Sequence, residues 1–164
     1  MDKETEDNLQ DYKIKIVKDT NKKSDICDMI LRNLPEWFGV EAAIKEYVNG
    51  VKEKTFIAAY IGNKPIGFLS IKEPNKYTSQ IYVLGILKEF HRKGIGKRLV
   101  KKAIDLLNKD KKFLTVKTLG ESHPDENYQL TRKFYENIGF YPLEEIIEIW
   151  GKENPCLFMV KVLN

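Results

Sequence analysis

The chain has 164 residues, of which 42% are hydrophobic and 32% are charged, and this predicts one domain over 1–164 with a single sizeable core. Its net charge of +4 suits an anionic ligand, but the 24 acidic residues among 28 basic ones argue against a nucleic-acid-binding protein. The polar first residues do not form a secretory signal, and no apolar run approaches the roughly 20 residues of a membrane span. We therefore expect a cytoplasmic protein that binds neither nucleic acid nor membrane.

The N-terminal part of the chain predicts a strand, two helices and a hairpin. Residues 1–11 are polar and are expected to fray. Ser24 and Asp25 are suitable helix caps, and Pro35 ends the helix that follows them. The Gly62-Asn63 pair between two apolar runs is a strong hairpin signal. The predicted elements are a strand over 12–17, helices over about 24–34 and 40–48, and strands over 56–61 and 65–71.

The C-terminal part alternates strands and helices. Gly139 is the expected end of the last helix, and Leu130, Phe134 and Ile138 form the stripe of that helix predicted to face the core. The predicted elements are a strand over 79–87, a helix ending at Leu107, a strand over 113–119, a helix over 128–138, and strands over 140–150 and 156–162. The order β-α-α-β-β-β-α-β-α-β-β is that of a mixed α/β fold.

Cysteines and lysines give weaker signals. Cys27 and Cys156 are far apart and are expected to be buried thiols, not a disulfide or metal ligands, and no metal site is predicted. A group of lysines is expected to form a solvated face: Lys101, Lys102, Lys109, Lys111 and Lys112.

Two glycines, Gly94 and Gly96, stand between the strand over 79–87 and the amphipathic helix that ends at Leu107. Glycine lets the backbone turn sharply and approach a ligand closely, and the first N–H groups of a helix have no intrahelical partners. The positive end of the helix dipole and the basic neighbours make this junction a candidate phosphate site. A strand-to-helix turn without a ligand remains the alternative.

The segment His91-Arg92-Lys93-Gly94-Ile95-Gly96 resembles the acyl-CoA pyrophosphate loop of the GNAT acyltransferase superfamily, Gln/Arg-x-x-Gly-x-Gly/Ala. His91 stands where the family usually has Gln or Arg. The predicted element order is also that of the GNAT fold. The resemblance implies a single-domain mixed sheet whose strands splay apart to form a cleft for acyl-CoA.

Residues 128–140 resemble a second GNAT signature, N-x-x-A-x-x-F-Y-x-x-x-G-F. Phe134, Tyr135, Gly139 and Phe140 match it, whereas Tyr128 replaces the Asn and Thr131 replaces the Ala. In the family, the tyrosine equivalent to Tyr135 protonates the departing CoA thiolate, and a phenol of pKa about 10 can do so.

The resemblance assigns roles to residues of both stretches. The backbone of the strand end pairs with the pantetheine arm, and the N–H of Ile86 is the candidate oxyanion donor. Gly85 within that strand indicates either close approach of a ligand, which we favour, or a kink. The implied catalytic residues are Tyr135 and Ile86, and the implied acetyl-CoA-binding residues are Leu84, Ile86, His91, Arg92, Lys93, Gly94, Ile95, Gly96, Lys97, Arg98, Tyr128, Thr131 and Tyr135.

The resulting hypothesis is an N-acetyltransferase that moves acetyl from acetyl-CoA directly to an amine in a ternary complex. The acceptor amine and a general base are not identified, although Glu121, His123 and Asp125 lie in a suitable loop. A non-catalytic acyl-CoA sensor is the main alternative, and a nucleic-acid binder using the lysine-rich helix is a second. The fold is compatible with a homodimer, which nothing in the sequence supports.

Overall fold

The computed structural model describes residues 11–163, so the predicted fraying of residues 1–10 lies outside the described residues. Seven strands form one sheet in the order β1-β2-β3-β4-β5-β7-β6. The elements are β1 Lys13–Ile16, α1 Thr20–Arg32, α2 Glu41–Gly50, β2 Thr55–Ile61, β3 Lys64–Lys72, β4 Thr78–Ile86, α3 Ile95–Leu106, β5 Phe113–Leu119, α4 Glu126–Asn137, β6 Tyr141–Ile146, α5 Ile147–Trp150 and β7 Cys156–Val162.

Two predicted boundaries are wrong. Helix α1 begins at Thr20, before the predicted caps at Ser24 and Asp25, because the Asp19 side chain accepts a hydrogen bond of 2.9 Å from the Lys22 N–H. The strand predicted over 140–150 ends at Ile146, and the helical turn α5 follows it. The other strands agree with the predictions within about two residues, and β5 and β7 agree at both ends.

One compact unit comprises residues 11–71 and Val83–Leu106. In its core, the rings of Phe56 and Phe68 stack with centroids 5.0 Å apart. A methyl group on Gly85 of β4 would lie 3.0 Å from Ile30 Cγ2 and 3.1 Å from Phe68 Cε1. Such contacts are tighter than ordinary van der Waals distances, so packing of β4 against α1 and β3 accounts for Gly85, an explanation different from both the ligand approach and the kink considered from the sequence.

The second unit comprises Lys72–Tyr82 and residues 107–163. The parallel register joins Thr78–Ile81 of β4 to β5, and β7 pairs antiparallel with β5 and with β6. The buried core includes Leu114, Phe140 and Met159.

The expectation that Lys111 belongs to a solvated face is wrong, because its side chain is buried in this second unit. Its ammonium group lies 2.6 Å from the Glu73 carboxylate and donates to the carbonyl oxygens of Asn75 at 2.7 Å and Thr78 at 3.3 Å. Lys111 therefore fastens the segment before β4 to the start of β5.

Candidate functional site

The candidate site in the first unit begins at the end of β4, where backbones approach closely. A methyl group on Gly67 of β3 would lie 3.1 Å from Ile86 Cγ1 and 3.3 Å from the Gly85 carbonyl oxygen. The absence of a side chain at Gly67 therefore makes room for the half-buried Ile86. The next N–H, that of Leu87, donates to the Ile66 carbonyl oxygen at 2.9 Å.

The predicted phosphate loop follows directly and contains two residues with left-handed backbone. Arg92 has φ 60° and Gly94 has φ 79°. A positive φ is unusual and unfavourable for a residue with a Cβ, and such strain is often found at functional sites. Glycine at 94 satisfies the same requirement without that cost. The sequence-based expectation of a sharp glycine turn before a helix agrees with this geometry.

The N-terminal turn of helix α3 has a positive electrostatic environment. Its first turn contains no acidic residue, and the Arg98 N–H closes the first helical hydrogen bond to the Gly94 carbonyl oxygen at 3.2 Å. The earlier N–H groups have no carbonyl partner within the helix. Ile95 and Gly96 are buried under the turn, and the exposed residues of the loop and first turn are Arg92, Lys93, Gly94, Lys97 and Arg98.

Two predicted cofactor-binding side chains contact the protein itself. His91 Nε2 lies 2.6 Å from the Ile86 carbonyl oxygen, and its ring meets the edge of Trp37 with centroids 5.5 Å apart. The Arg98 guanidinium lies over the Tyr12 ring, 5.3 Å from its centroid. Of the basic residues here, Arg92, Lys93 and Lys97 therefore remain the better candidates for a phosphate contact.

Helix α4 of the second unit carries Tyr128, Thr131 and Tyr135. Asp125 caps this helix, and its carboxylate accepts hydrogen bonds from the N–H groups of Asn127 at 2.8 Å and Tyr128 at 3.2 Å. Burial, with a smaller effect of the Asp125 charge, raises the pKa of the Tyr128 phenol to about 12, so this phenol stays protonated at neutral pH. Thr131 Oγ1 donates to the Asn127 carbonyl oxygen at 3.1 Å.

Tyr135, the predicted general acid, is only 5% exposed. Its ring makes edge contacts with Phe134 and Phe140, at centroid distances of 5.1 and 5.3 Å. The ring is therefore held by packing, and removal of its hydroxyl would leave these ring contacts in place.

Arg132 was not among the residues predicted to be buried or functional. The predicted core stripe of α4 is wrong at Leu130, which is 47% exposed, whereas Arg132 is buried at 7% exposure. Its guanidinium donates to the carbonyl oxygen of Leu119, the last residue of β5, at 2.7 Å. Arg132 precedes Tyr135 by three residues, so helical spacing places them on one face, and this was the available signal.

The loop after β5 contains the residues considered as a general base. Glu145 of β6 accepts hydrogen bonds from the Ser122 N–H at 3.2 Å and hydroxyl at 3.0 Å, and its carboxylate lies against Gly120. Within residues 11–163, the buried atoms Thr118 Oγ1 and His123 Nδ1 have no hydrogen-bond partner. Asp125 is engaged as a helix cap and Glu121 is exposed, and none of the three candidates is assigned as the base.

A surface groove of about 540 Å³ lies elsewhere on the first unit, along β1, the start of α1 and the β2–β3 turn. None of the predicted site residues lines it, so the groove is not the candidate site.

In the part of the chain that the structure describes, no group of His, Cys, Asp or Glu side chains is arranged to hold a metal ion, and no helix is long and apolar enough to cross a membrane.

Both cysteines are free and buried, as predicted. Burial, with a smaller effect of the Asp28 charge, raises the pKa of the Cys27 thiol to about 12, and burial also raises that of Cys156. Because the thiolate is the nucleophilic form, neither thiol is prepared for nucleophilic catalysis at neutral pH.

Comparison with known proteins gives one consistent family. The model of the acetyltransferase (GNAT) family matches residues 24–140. A comparison with curated proteins finds no match. Three solved structures illustrate the structural similarity. A protein from Desulfovibrio desulfuricans assigned to the GNAT family has a TM-score of 0.79 at 12% identity, covering 94% of this chain and 100% of its own.

The other two structures are those of two differently named acetyltransferases. An aminoglycoside 6′-N-acetyltransferase complexed with coenzyme A has a TM-score of 0.73 at 17% identity, covering 93% of this chain and 97% of its own. An IAA acetyltransferase from Bacillus cereus has a TM-score of 0.66 at 20% identity, covering 93% and 99%. At these identities, the similarity establishes the fold.

Proposed function

The chain belongs to the GNAT acetyltransferase family, and we propose that it transfers an acetyl group from acetyl-CoA directly to an amine. The observation that carries this proposal is the junction of β4 and α3. It combines a left-handed Gly94, exposed cations and a helix start without an acidic residue in one continuous segment. This combination favours a phosphate-containing ligand for physical reasons that do not depend on the family.

In this proposal the backbone N–H groups around Gly94–Gly96 bind the pyrophosphate of acetyl-CoA, and the exposed Arg92, Lys93 or Lys97 contacts a phosphate. The backbone of Leu84 and Ile86 pairs with the pantetheine arm. The coenzyme A complex of the aminoglycoside acetyltransferase supports this choice of ligand, because that protein has the same fold. Tyr128 and Thr131 are proposed as further contacts, with the protonated phenol of Tyr128 as a hydrogen-bond donor.

The chemistry is a direct acyl transfer. The neutral amine nitrogen attacks the thioester carbonyl carbon, and the carbonyl oxygen becomes an oxyanion. The carbonyl re-forms as the C–S bond breaks, the nitrogen releases its extra proton to solvent, and solvent returns a proton to Tyr135 after it has protonated the thiolate. The Ile86 N–H stabilises the oxyanion, and Tyr135 donates a proton to the departing thiolate. The raised pKa of the buried Cys27 thiol supports transfer without an acyl-enzyme intermediate.

The first test is thiol release from acetyl-CoA with a panel of amines: an aminoglycoside, a polyamine, free amino acids and a peptide with a free N terminus and a lysine. Turnover with at least one amine is expected. Acetyl-CoA should also raise the melting temperature by mass action. A thermal shift without thiol release from any amine would contradict the proposal and favour the acyl-CoA sensor.

The second test concerns Tyr135. Tyr135→Phe keeps the ring contacts with Phe134 and Phe140, so stability and acetyl-CoA KM should change little. General acid catalysis typically contributes about 10²–10⁴-fold. We expect kcat to fall by the lower end of that range or less, because a thiolate is already a fair leaving group. Equal kcat values would make Tyr135 a packing residue, and a raised KM at constant kcat would make it a cofactor-binding residue.

A further inference from the structure

The peptide group that joins Ile86 to Leu87 is held at both of its polar atoms. The Leu87 N–H donates to the Ile66 carbonyl oxygen at 2.9 Å, and the Ile86 carbonyl oxygen lies 2.6 Å from His91 Nε2. Between Ile86 and His91 the chain makes a tight turn, in which the His91 N–H donates to the Lys88 carbonyl oxygen at 3.1 Å. This turn brings the His91 ring back onto the strand that precedes it.

The contact defines where the hydrogen on the imidazole must lie. A carbonyl oxygen only accepts hydrogen bonds, so His91 Nε2 must carry a hydrogen and donate it. Both the neutral Nε2–H tautomer and the imidazolium satisfy this condition. This hydrogen bond therefore forms whether the ring is neutral or charged. The N–H group of a glutamine side chain can act as the donor in place of the imidazole.

The His91 ring also contacts the segment between α1 and α2. Trp37 contacts the His91 ring edge-on with centroids 5.5 Å apart. A separate ion pair joins the same two segments through Glu36 and Lys88. The hydrogen bond from Lys88 lowers the pKa of the Glu36 carboxyl, so this pair is charged at neutral pH. The His91 ring thus has one orientation imposed by Trp37 and Ile86 together.

We propose that His91 is a positioning residue for acetyl transfer, which acts through the Ile86 carbonyl and does not contact the cofactor. Because peptide groups are planar, clamping the Ile86–Leu87 peptide leaves the Ile86 N–H to be set by the two dihedral angles of Ile86. By holding this peptide, the His91 bond restricts the directions available to the proposed oxyanion donor. It also ties this donor to the phosphate loop, since Gly94 follows His91 by three residues. The effect on turnover rests on the proposed function.

Three variants separate this role from a merely structural one. His91→Leu removes the donor, His91→Gln keeps an N–H donor, and Glu36→Gln removes the neighbouring ion pair but leaves the Ile86 carbonyl bonded. Removing an oxyanion donor costs about 10²–10³ in kcat, so misdirecting one should cost about tenfold. We expect that loss in His91→Leu with an unchanged acetyl-CoA KM, substantial rescue in His91→Gln, and wild-type kcat in Glu36→Gln.

The kinetic outcomes are decisive in both directions. Wild-type kcat in His91→Leu, or equal loss in His91→Leu and His91→Gln, would overturn the proposal. A similar loss in Glu36→Gln would show that joining the two segments, and not the bond to Ile86, is what matters. The amine used is the one in the panel above that gives the fastest thiol release.

A spectroscopic measurement tests the bond without turnover. ¹⁵N NMR of the wild-type protein should show His91 protonated at Nε2 throughout the pH range in which the protein is folded. The Leu87 amide should exchange with solvent faster in His91→Leu and at nearly the wild-type rate in His91→Gln. An Nδ1–H tautomer would overturn the proposal even if the enzyme is active. Absence of turnover in the wild type with intact NMR signatures would instead reject the proposed function.

Discussion

Gly94→Ala tests the phosphate loop, and the chain contains a matched control for it. Gly94 has φ 79° and Gly62, in the β2–β3 turn, has φ 58°, and a methyl group at either position would meet no atom within 4 Å. Neither substitution therefore creates a clash, and both introduce the same kind of backbone strain. A left-handed residue with a Cβ costs about 1–2 kcal/mol, while a stiffer unfolded chain returns about 0.4–1 kcal/mol.

The net loss of stability should be about 0–1.6 kcal/mol in each variant, with a midpoint of about 0.8 kcal/mol. For a chain of this size that midpoint corresponds to a melting temperature lower by roughly 1–4 °C. Binding of CoA should separate the two variants. We expect Gly94→Ala to bind CoA at least about tenfold more weakly by calorimetry, since a methyl group and a distorted turn would both disturb backbone contacts to the pyrophosphate. Gly62→Ala should bind like the wild type. Equal CoA affinities in folded proteins would refute the phosphate reading of the loop.

Two further predictions concern stability. Gly85→Ala places a methyl group 3.0 Å from Ile30 Cγ2, so overpacking should cost about 1–3 kcal/mol, seen as a lower urea midpoint at an unchanged m-value. Lys111→Met removes the charged donor of the partly buried hydrogen bonds to the carbonyl oxygens of Asn75 and Thr78 and should cost about 1–3 kcal/mol in the same assay. Lys112→Met, at the exposed next position, should cost less than about 0.5 kcal/mol. Equal midpoints for the two lysine variants would contradict the role assigned to Lys111.

The elements that sequence reasoning predicted well are those with a strong local pattern. Strand β7 has an apolar run and β5 is rich in apolar and β-branched residues, and the junction before α3 combines glycines with a clear helical period. The start of α1 was wrong because Asp19 and Ser24 are both good caps by composition. Local propensity cannot choose between two caps when the residues between them, such as Lys22 and Lys23, carry no apolar signal.

Side-chain environments that depend on the tertiary fold could not be predicted from the sequence. Lys111 belongs to a run of lysines, and only the folding of the Glu73–Thr78 segment beside it makes it a buried donor. Arg132 is hydrophilic by type, yet the end of β5 provides a carbonyl acceptor for it. The contact of His91 with the Ile86 carbonyl oxygen, five residues earlier in the chain, likewise depends on the turn between them. The splayed cleft, the single domain and the individual cofactor contacts stay predictions.

Gly67, Gly85 and Gly94 lie in or near β4, and each is a glycine for a different physical reason that the sequence alone does not reveal. At Gly67 the β3 backbone approaches Gly85 and the Ile86 side chain, and at Gly85 the strand packs under α1. Both are contacts within the protein and are independent of any ligand. Gly94 differs because it has a left-handed φ in open space, where neither packing nor backbone contact requires the absence of a side chain. Only its conformation and whatever approaches the loop can account for it. Gly62 has the same conformation in open space, so it is the position of Gly94 before α3, beside exposed cations, that supports a bound phosphate, whereas packing accounts for Gly85.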